Sequence, residues 1–250
     1  MCRCQRSRQR SEREGYRLVS NPTAAIIDYG LGNLYSVQQA CGKVGIESNI
    51  TADRTAIEAA DAVILPGMGA FGDAMDHLRR LDLVHLLRDL AAAGKPMFGV
   101  CLGLQLFMSE SCEFGRHEGL NLIEGDVIRF ESPVETRLID GKPRDFNLKV
   151  PLIGWTPICE ARSWDGTVLE HVTPGASMYF VHSFYVRPTD PSAVLSTSHY
   201  GHIEFCSSLQ KDNLFACQFH PERSGAEGLK IYRQFAQLLT QRKLHGVGDS

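Results

Sequence analysis

Short apolar runs alternate with helix-like segments along the first half of the chain. The apolar runs lie at residues 24–27, 46–51, 62–65 and 96–100. The helix-like segments lie at residues 33–43, 54–59 and 73–93. In the last segment four leucines recur at the spacing of one helix face, namely Leu83, Leu86, Leu87 and Leu90. Strands that are apolar throughout and are each followed by a helix are typical of a parallel sheet covered on both faces.

The pattern changes after residue 113, where strand-like runs are separated by turns. These runs lie at 126–130, 177–181, 184–187, 193–199, 203–208 and 214–218. We expect them to extend the same sheet with antiparallel strands, which gives an α/β fold with a mainly parallel central sheet. The charged segment 131–147, with Pro133, Gly141 and Pro143, is predicted to be an exposed loop. A last helix begins near Gly225, and its apolar face comprises Leu229, Tyr232, Phe235, Ala236 and Leu239.

Composition is typical of a soluble globular domain, with 43% hydrophobic and 22% charged residues in 250. No apolar run approaches the roughly 18 residues of a membrane span, so we expect no membrane partner. Residues 1–20 carry six arginines and two glutamates, which leaves a charge of −7 on the rest of a chain whose total is −3. We interpret residues 1–22 as a disordered basic leader, 23–244 as one domain and 245–250 as a tail. A targeting peptide or a nucleic-acid arm is the alternative for the leader, but we expect no nucleic-acid partner.

Eight cysteines are scattered along the chain without the hydrophobic region of a signal peptide ahead of them. Reduced thiols and a cytoplasmic location are therefore the favoured interpretation. Cys2 and Cys4 alone are too few ligands for a metal, and no Cys/His pair elsewhere has zinc-finger spacing. We therefore expect neither a metal nor a cofactor.

The strongest chemical signal is Gly99-Val100-Cys101-Leu102-Gly103, where an apolar strand turns into the helix-like segment 102–110. Glycines on both sides of a nucleophile permit the tight turn that presents its side chain at a sheet edge. The N-terminus of the following helix favours thiolate over thiol, because its unpaired N–H groups stabilise negative charge. The pattern predicts that Cys101 is a nucleophile.

A second motif, Gln218-Phe219-His220-Pro221-Glu222, supplies the groups that such a nucleophile needs. Pro221 restricts His220 to extended geometry, in which His220 and Glu222 project to the same side. His220 would be the general base and Glu222 the group that orients it. The alternative is that Cys101 is one of several buried thiols and His220 is a surface loop residue. The combination of motifs favours a Cys-His-Glu triad.

A glycine-rich loop follows the third predicted strand, with the sequence Leu65-Pro66-Gly67-Met68-Gly69-Ala70-Phe71-Gly72. A phosphate cradle is disfavoured, because the loop lacks Gly-Lys-Ser/Thr and an acidic ribose partner. A tight turn without chemical function is the structural alternative. We favour an oxyanion site in which Gly67, Gly69 and the Leu102 N–H contact a carbonyl attacked by Cys101, at about 3 to 4 kcal/mol per donor.

These motifs together resemble the class I, triad-type glutamine amidotransferases. Within that superfamily three further stretches resemble the glutaminase subunits of imidazole glycerol phosphate synthase. They are residues 26–34 (IIDYGLGNL), 65–75 (LPGMGAFGDAM) and 179–186 (YFVHSFYV). The resemblance implies a three-layer, flavodoxin-like fold and hydrolysis of L-glutamine to glutamate and ammonia. It also implies that Gln105 and the backbone of Ser183 and Phe184 hold the amino-acid head of glutamine.

The same resemblance implies a partner. Ammonia would pass to a separate TIM-barrel cyclase subunit, which forms imidazole glycerol phosphate and the aminoimidazole ribotide by-product (AICAR) of histidine biosynthesis. Such a barrel takes about 250 residues by itself, so the partner of this 250-residue chain would be another polypeptide in a heterodimer.

The chain departs from the family at the surface that faces the partner in relatives. The family commonly reads Pro-His-Met-Gly-Trp-Asn where residues 151–156 read Pro-Leu-Ile-Gly-Trp-Thr, and Glu-Lys-Ser where Arg223 follows Glu222. Trp155 either anchors the interface or packs in the core, and Arg223 would lie at the interface. The glutaminase of another amidotransferase and a weakly active regulatory scaffold are the two alternative functions.

Overall fold

The computed structural model describes residues 20–245, and its first half alternates strands and helices as the apolar pattern predicts. The elements of this half are β1 (Thr23–Ile27), α1 (Leu34–Lys43), β2 (Glu47–Thr51), α2 (Arg54–Ala59), β3 (Ala62–Gly67), α3 (Phe71–Arg80), α4 (Leu83–Ala92), β4 (Met97–Cys101) and α5 (Leu102–Leu106). The predicted leader 1–22 lies almost wholly outside the described residues, as does nearly all of the predicted tail 245–250.

The second half is rich in strands and ends in one long helix. Its strands are β5 (Glu110–Ser111), β6 (His117–Glu118), β7 (Gly125–Arg129), β8 (Val134–Ile139), β9 (Lys142–Asn147), β10 (Leu152–Pro157), β11 (Cys159–Glu160), β12 (Ser177–His182), β13 (Phe184–Pro188), β14 (Val194–Tyr200), β15 (Ile203–Lys211) and β16 (Leu214–Cys217). Its helices are two 3-10 turns, Pro191–Ala193 and Pro221–Arg223, and α6 (Gly225–His245).

One mixed sheet of eight strands carries the fold, in the order β11-β14-β15-β16-β4-β3-β1-β2. The pairings from β2 through β16 are parallel, and β15, β14 and β11 extend the sheet with antiparallel pairings. Helices α1 and α6 contribute to one apolar cluster and α2, α3 and α4 to the other. Alternate residues of β3 divide between the clusters, with Ile64 in the first and Val63 and Leu65 in the second. The predicted three-layer α/β architecture is confirmed.

The predicted extension of the sheet is only partly correct. Strands β14 and β15 join the main sheet as expected, but β16 pairs parallel to β4. Strands β7 and β13 lie in a separate four-stranded sheet with β5 and β6, and β12 pairs with β10 alone. Burial alternates along β12, the pattern of a strand with one face on the core and one towards solvent.

The single helix predicted for residues 73–93 is wrong. The chain forms α3 and α4, separated at Asp82, whose φ of 54° is left-handed and incompatible with a continuing helix. Arg54 on α2 donates to the Asp82 carboxylate at 2.8 Å and so holds this break in place. Leu83, Leu86 and Leu87 are buried and Leu90 packs partly buried against them, as the spacing predicts.

The helix predicted for residues 102–110 is also shorter than expected. Helix α5 ends at Leu106, because a later segment takes the carbonyl groups that would continue it. The N–H of Leu120 donates to the Leu106 carbonyl at 2.8 Å, and the N–H of Leu122 donates to the Phe107 carbonyl at 2.9 Å. The free carbonyls of a helix end accept such partners readily.

The exposed loop predicted for residues 131–147 is a β-hairpin. Strands β8 and β9 pair over six residues each around the dipeptide Asp140-Gly141. These two residues have φ values of 51° and 72°, and positive φ at both positions is the mark of a type I′ hairpin turn. The segment is exposed, as predicted, but its regular pairing was missed because Pro143 and the charges were given more weight than the Asp-Gly signal.

The carboxyl ends of three neighbouring strands define one edge of the main sheet. Gly67 at the end of β3 pairs with Cys101 at the end of β4. Cys217, the last residue of β16, pairs with Val100 on the other side of β4. The glycine-rich loop, the Cys101 turn and the His220 motif therefore begin side by side, at the edge where open parallel sheets bind ligands.

Candidate active site

Cys101 lies in a strained turn between β4 and α5. Its φ of 55° and ψ of −106° fall outside the regions that non-glycine residues normally occupy, which is typical of residues held for function. Gly103 is required because a Cβ there would lie 1.7 Å from the Leu65 carbonyl oxygen, and a Cβ on Gly99 would lie 2.9 Å from the Gly103 carbonyl. The two glycines allow α5 to pack closely enough on β3 and β4 to form the turn.

His220 and Glu222 form a buried pair beside this turn. Glu222 Oε1 lies 2.8 Å from His220 Nδ1, and the 3-10 turn Pro221–Arg223 carries the carboxylate back to the ring. The backbone of His220 is fixed by its N–H, which donates to the Tyr179 carbonyl at 2.9 Å, and by Ser224 Oγ, which donates to its carbonyl at 2.7 Å. Cys101 and His220 are only 6% and 8% exposed.

The environment of His220 favours its protonated form when Cys101 is a thiolate. Burial by itself lowers the pKa of His220, but the negative charge of Cys101 and the hydrogen bond and charge of Glu222 outweigh it and raise the pKa to about 10. Nε2 of His220 makes no hydrogen bond of normal geometry within the described residues. A proton on Nε2 is therefore free for a leaving group close to Cys101.

Two glutamines connect the thiol to the neighbouring sheet. Gln105 Nε2 donates to the Phe184 carbonyl at 3.0 Å and to Gln218 Oε1 at 3.1 Å. Gln218 Nε2 in turn points to Cys101 Sγ at 3.7 Å. Both hydrogens of the Gln105 amide are used within the protein, so its Oε1 is the atom left to accept a hydrogen bond from a ligand. Sequence reasoning missed Gln218, although it begins the His220 motif.

A cavity of about 330 Å³ opens over Cys101, which is a size suited to a small molecule. All of the substrate-binding residues expected from the sequence line it, namely Gly67, Gly69, Leu102, Gln105, Ser183 and Phe184. Its wall also contains Asn33, Glu113 and His182, which sequence reasoning did not select. Glu113 accepts from the Phe71 N–H at 2.7 Å and so connects the cavity wall to the first turn of α3.

His182 is a neutral, acceptor-bearing side chain in the cavity wall. Burial lowers the pKa of His182 to about 4, with the charge of His220 acting in the same direction and a hydrogen bond to Phe184 opposing it. Nδ1 donates to the Phe184 carbonyl at 2.8 Å, which leaves Nε2 unprotonated and without a partner among the described residues. The adjacent Ser183 was the signal that could have drawn attention to it.

Trp155 lies on an exposed surface beside the cavity rather than in the core. It is 57% exposed, whereas Trp164 is 3% exposed and donates to the Leu195 carbonyl at 2.9 Å. Trp155 packs edge-on against Tyr179 with ring centroids 6.0 Å apart, and the Arg223 guanidinium lies 4.3 Å from the centre of the same ring. The Trp155 surface is defined here as these three residues with Ile153 and Met68, which are 62% and 56% exposed.

The pair of His220 and Glu222 yields a test. Glu222→Gln removes the carboxylate charge that raises the pKa of His220, so the ring loses its proton at lower pH. An amide also allows the wrong tautomer of the ring, and we expect glutamine turnover to fall by at least about a hundredfold. Steady-state glutamate production between pH 6 and pH 10 measures both effects, as a lower kcat and a displaced alkaline limb.

Glu204→Gln is the matched control for this change. His199 and Glu204 form a second His-Glu pair at 3.3 Å, but both side chains are more than half exposed. Such a pair contributes little, so turnover of Glu204→Gln should equal that of the unchanged protein. Equal kcat and pH profiles for Glu222→Gln and the unchanged protein would remove Glu222 from the site.

Within residues 20–245, no group of three or more His, Cys, Asp or Glu is arranged to hold a metal ion. The six cysteines of this part of the chain are free thiols. None of the helices described here is both long and apolar enough to cross a membrane.

The fold and the cavity define a class I glutamine amidotransferase. The sequence model of the family "Glutamine amidotransferase class-I" matches residues 25–238, so the chain belongs to that class of glutaminases. Solved structures agree on the fold, with TM-scores of 0.64 both for a GMP synthase protein from Thermoplasma acidophilum (14% identity, 91% of this chain and 98% of that chain) and for PurLQS from Thermotoga maritima (17%, 88% and 99%).

Curated relatives define the family more narrowly. Imidazole glycerol phosphate synthase subunit HisH of Rhodopirellula baltica is 44% identical over 211 residues, covering 84% of this chain and 95% of the relative. The subunit HisH of Geobacter metallireducens is 44% identical over 214 residues, covering 86% and 97%. The chain belongs to the HisH family of imidazole glycerol phosphate synthase subunits.

Proposed function

We propose that this HisH-family glutaminase hydrolyses L-glutamine with Cys101 as nucleophile, His220 as general base and acid, and Glu222 as the group that orients His220. The observation that carries the proposal is the buried His220–Glu222 pair at 2.8 Å beside a cysteine in a strained strand-to-helix turn. All three residues line one cavity. A structural thiol needs neither the strain nor the charged neighbours.

The reaction follows from the positions of these groups. Cys101 Sγ attacks the side-chain amide carbon of glutamine, and the proton on His220 Nε2 passes to the nitrogen as the C–N bond breaks and ammonia leaves. His220 then takes a proton from water, whose oxygen attacks the thioester and breaks the C–S bond. Glutamate leaves and the thiolate is restored. Glu222 keeps the ring oriented and stabilises its charge through both steps.

The cavity wall provides groups for substrate binding and charge stabilisation. The N–H of Leu102, at the start of α5, and the loop of Gly67 and Gly69 would bind the oxyanion that forms during attack. The free Oε1 of Gln105 would accept a hydrogen bond from the substrate ammonium, while the backbone of Ser183 and Phe184 would contact the amino-acid head.

We propose further that the chain works as the glutaminase half of a cytoplasmic heterodimer in histidine biosynthesis, within a single domain of residues 23–244. Its partner would be a TIM-barrel cyclase, which receives the ammonia and forms imidazole glycerol phosphate and the aminoimidazole ribotide. The Trp155 surface supports this position for the partner, because it adjoins the cavity and exposes an unusual amount of apolar area next to Arg223. Another amidotransferase and a weakly active scaffold are disfavoured by the HisH relatives and by the complete triad.

Coupling to the partner gives a direct test. We expect the isolated chain to release glutamate slowly, and the barrel subunit with its nucleotide substrate to raise that rate by about tenfold or more, the size of an ordinary coupling free energy. Glutamate production is measured for the chain alone, with the barrel and with both additions. Full activity of the isolated chain would contradict the coupling.

A variant of the same experiment tests the Trp155 surface. Trp155→Ala should raise the barrel concentration needed for half-maximal stimulation by about tenfold or more, because aromatic anchors dominate interfaces. Leu244→Ala is the control, since Leu244 is 55% exposed near the far end of the 21-residue α6, roughly 30 Å from its start. Equal barrel concentrations for the two variants would place the partner elsewhere.

A further inference from the structure

The segment between β1 and α1 contains a tyrosine that the reaction does not use. Tyr29, within the sequence Asp28-Tyr29-Gly30-Leu31-Gly32-Asn33, is 1% exposed and stands among the largest fully buried side chains of the described residues. Asn33 of the same segment lines the cavity over Cys101. The segment therefore connects the core of the sheet with the wall of the candidate active site.

Two hydrogen bonds join Tyr29 to the two ends of the glycine-rich loop. Its hydroxyl donates to the carbonyl of Pro66, near the end of β3, at 2.8 Å. Its backbone carbonyl lies 2.7 Å from Nδ1 of His77 in α3, the helix that follows the loop. Residues 67–70 lie between these attachment points. Tyr29 thus holds both the entry to and the exit from the loop.

The tyrosine hydroxyl also touches both halves of the proposed oxyanion site. A Cβ added to Gly67 would lie 2.1 Å from Tyr29 Oη and 3.0 Å from Leu102 Cβ. Gly32 approaches the same place from the other side, since a Cβ there would lie 3.4 Å from Gly67 Cα. The ends of β3 and α5 are therefore in contact through the tyrosine hydroxyl, with no space for a side chain on Gly67.

We infer that Tyr29 is a positioning residue, whose hydroxyl fixes the Pro66–Gly67 peptide and thereby sets the donors of the oxyanion loop against the Leu102 N–H. The inference rests on the proposed function of the loop. In a planar trans peptide the carbonyl of Pro66 and the N–H of Gly67 point in opposite directions, so holding one fixes the other.

The loop needs such an attachment because its own sequence does not define its conformation. Gly69 has a φ of 102°, and a Cβ placed on it would meet nothing within 4 Å. A glycine in open space can adopt several backbone conformations at similar free energy. Burial and the charge of Cys101 both raise the pKa of Tyr29, so the hydroxyl keeps its proton and remains a donor over the working range of the enzyme.

The test is Tyr29→Phe, which removes the hydroxyl and keeps the buried ring. We expect kcat for glutamine hydrolysis in the complex with the barrel subunit to fall by about tenfold or more, since small displacements of oxyanion donors have effects of this size. KM should stay within about twofold, because the amino-acid head is held elsewhere in the cavity. Ammonia-dependent synthesis by the complex should not change.

A second readout separates positioning from a general structural effect. Iodoacetamide alkylates a thiolate by displacement and forms no oxyanion, so the rate at Cys101 should be the same in Tyr29→Phe and in the unchanged protein. The rate is followed by mass spectrometry of the Cys101 peptide, since the exposed Cys112 and Cys159 also react. A parallel fall in alkylation and kcat would overturn the inference, as would an unchanged kcat.

Tyr200→Phe is the matched control, because the Tyr200 hydroxyl also donates to a backbone carbonyl, that of Lys149, but outside the cavity. Its kcat should equal that of the unchanged protein. His77→Ala removes the second attachment through a half-buried side chain and should show a smaller loss of the same kind. It decides the matter if Tyr29→Phe does not fold, with unchanged kcat overturning the inference. No glutamate from the unchanged complex would instead refute the proposed function.

Discussion

Cys101→Ala is expected to abolish glutamine-dependent synthesis by the complex while leaving synthesis with added ammonia intact. The variant lacks the sulfur that attacks the amide, and no other group in the cavity can form the thioester. We expect the glutamine-dependent rate to fall by about a millionfold, the effect of removing a nucleophile from a triad. The partner would still accept free ammonia, because its chemistry does not pass through this chain. Product formation from glutamine and from ammonium chloride, measured in parallel, checks both statements.

Cys206→Ala controls for the loss of a buried thiol. Burial raises the pKa of Cys206 to about 12, so this thiol is not a nucleophile at neutral pH. Its removal should leave both rates unchanged and cost only the modest stability of a vacated buried sulfur. An equal loss of the two activities in Cys101→Ala would show that Cys101 supports the fold or the interface, and would exclude it as the glutaminase nucleophile.

The placement of the candidate triad could be predicted because each part is written in a few adjacent residues. Gly99, Cys101 and Gly103 define the strained turn, and Pro221 fixes how Glu222 returns to His220. Glycine and proline act on backbone geometry directly, so their meaning survives without knowledge of distant contacts. The catalytic roles of these residues stay predictions until the variants are measured.

Contacts between distant segments were not readable in the same way. Gln218, Glu113 and His182 reach the cavity from three separate elements, and only the assembled sheets bring them together. Their types are common, and no spacing in the chain marks them. The exposure of Trp155 was equally hidden, because an aromatic residue in a strand suits a core and an interface alike.

The misassigned elements have tertiary causes too. The pattern of leucines continued through Asp82, but an arginine from another helix stabilises the break there. Strands β7, β12 and β13 are strands as predicted, yet the partners that remove them from the main sheet lie in β5 and β10, which the apolar pattern did not identify. Strand character was thus local information, whereas sheet membership was not.

Gly103→Ala should destabilise the whole fold. The added methyl carbon would lie 1.7 Å from the Leu65 carbonyl oxygen, a backbone atom of the central strand β3 that cannot move without disturbing its neighbours. Overpacking at such a site costs about 3 kcal/mol or more of the free energy of unfolding. Urea unfolding followed by circular dichroism measures the loss as a lower midpoint.

Gly42→Ala is the same chemical change in open surroundings. Gly42 lies in α1, where an added Cβ meets nothing within 4 Å, so alanine should stabilise the protein by about 0.5 to 1 kcal/mol. Opposite signs for the two glycines would show that the close approach of α5 to β3, rather than the backbone freedom of glycine, is what Gly103 provides. An unfolding midpoint of Gly103→Ala equal to that of the unchanged protein would mean that the Cys101 turn does not depend on this contact, and that its strain is held by other parts of the sheet.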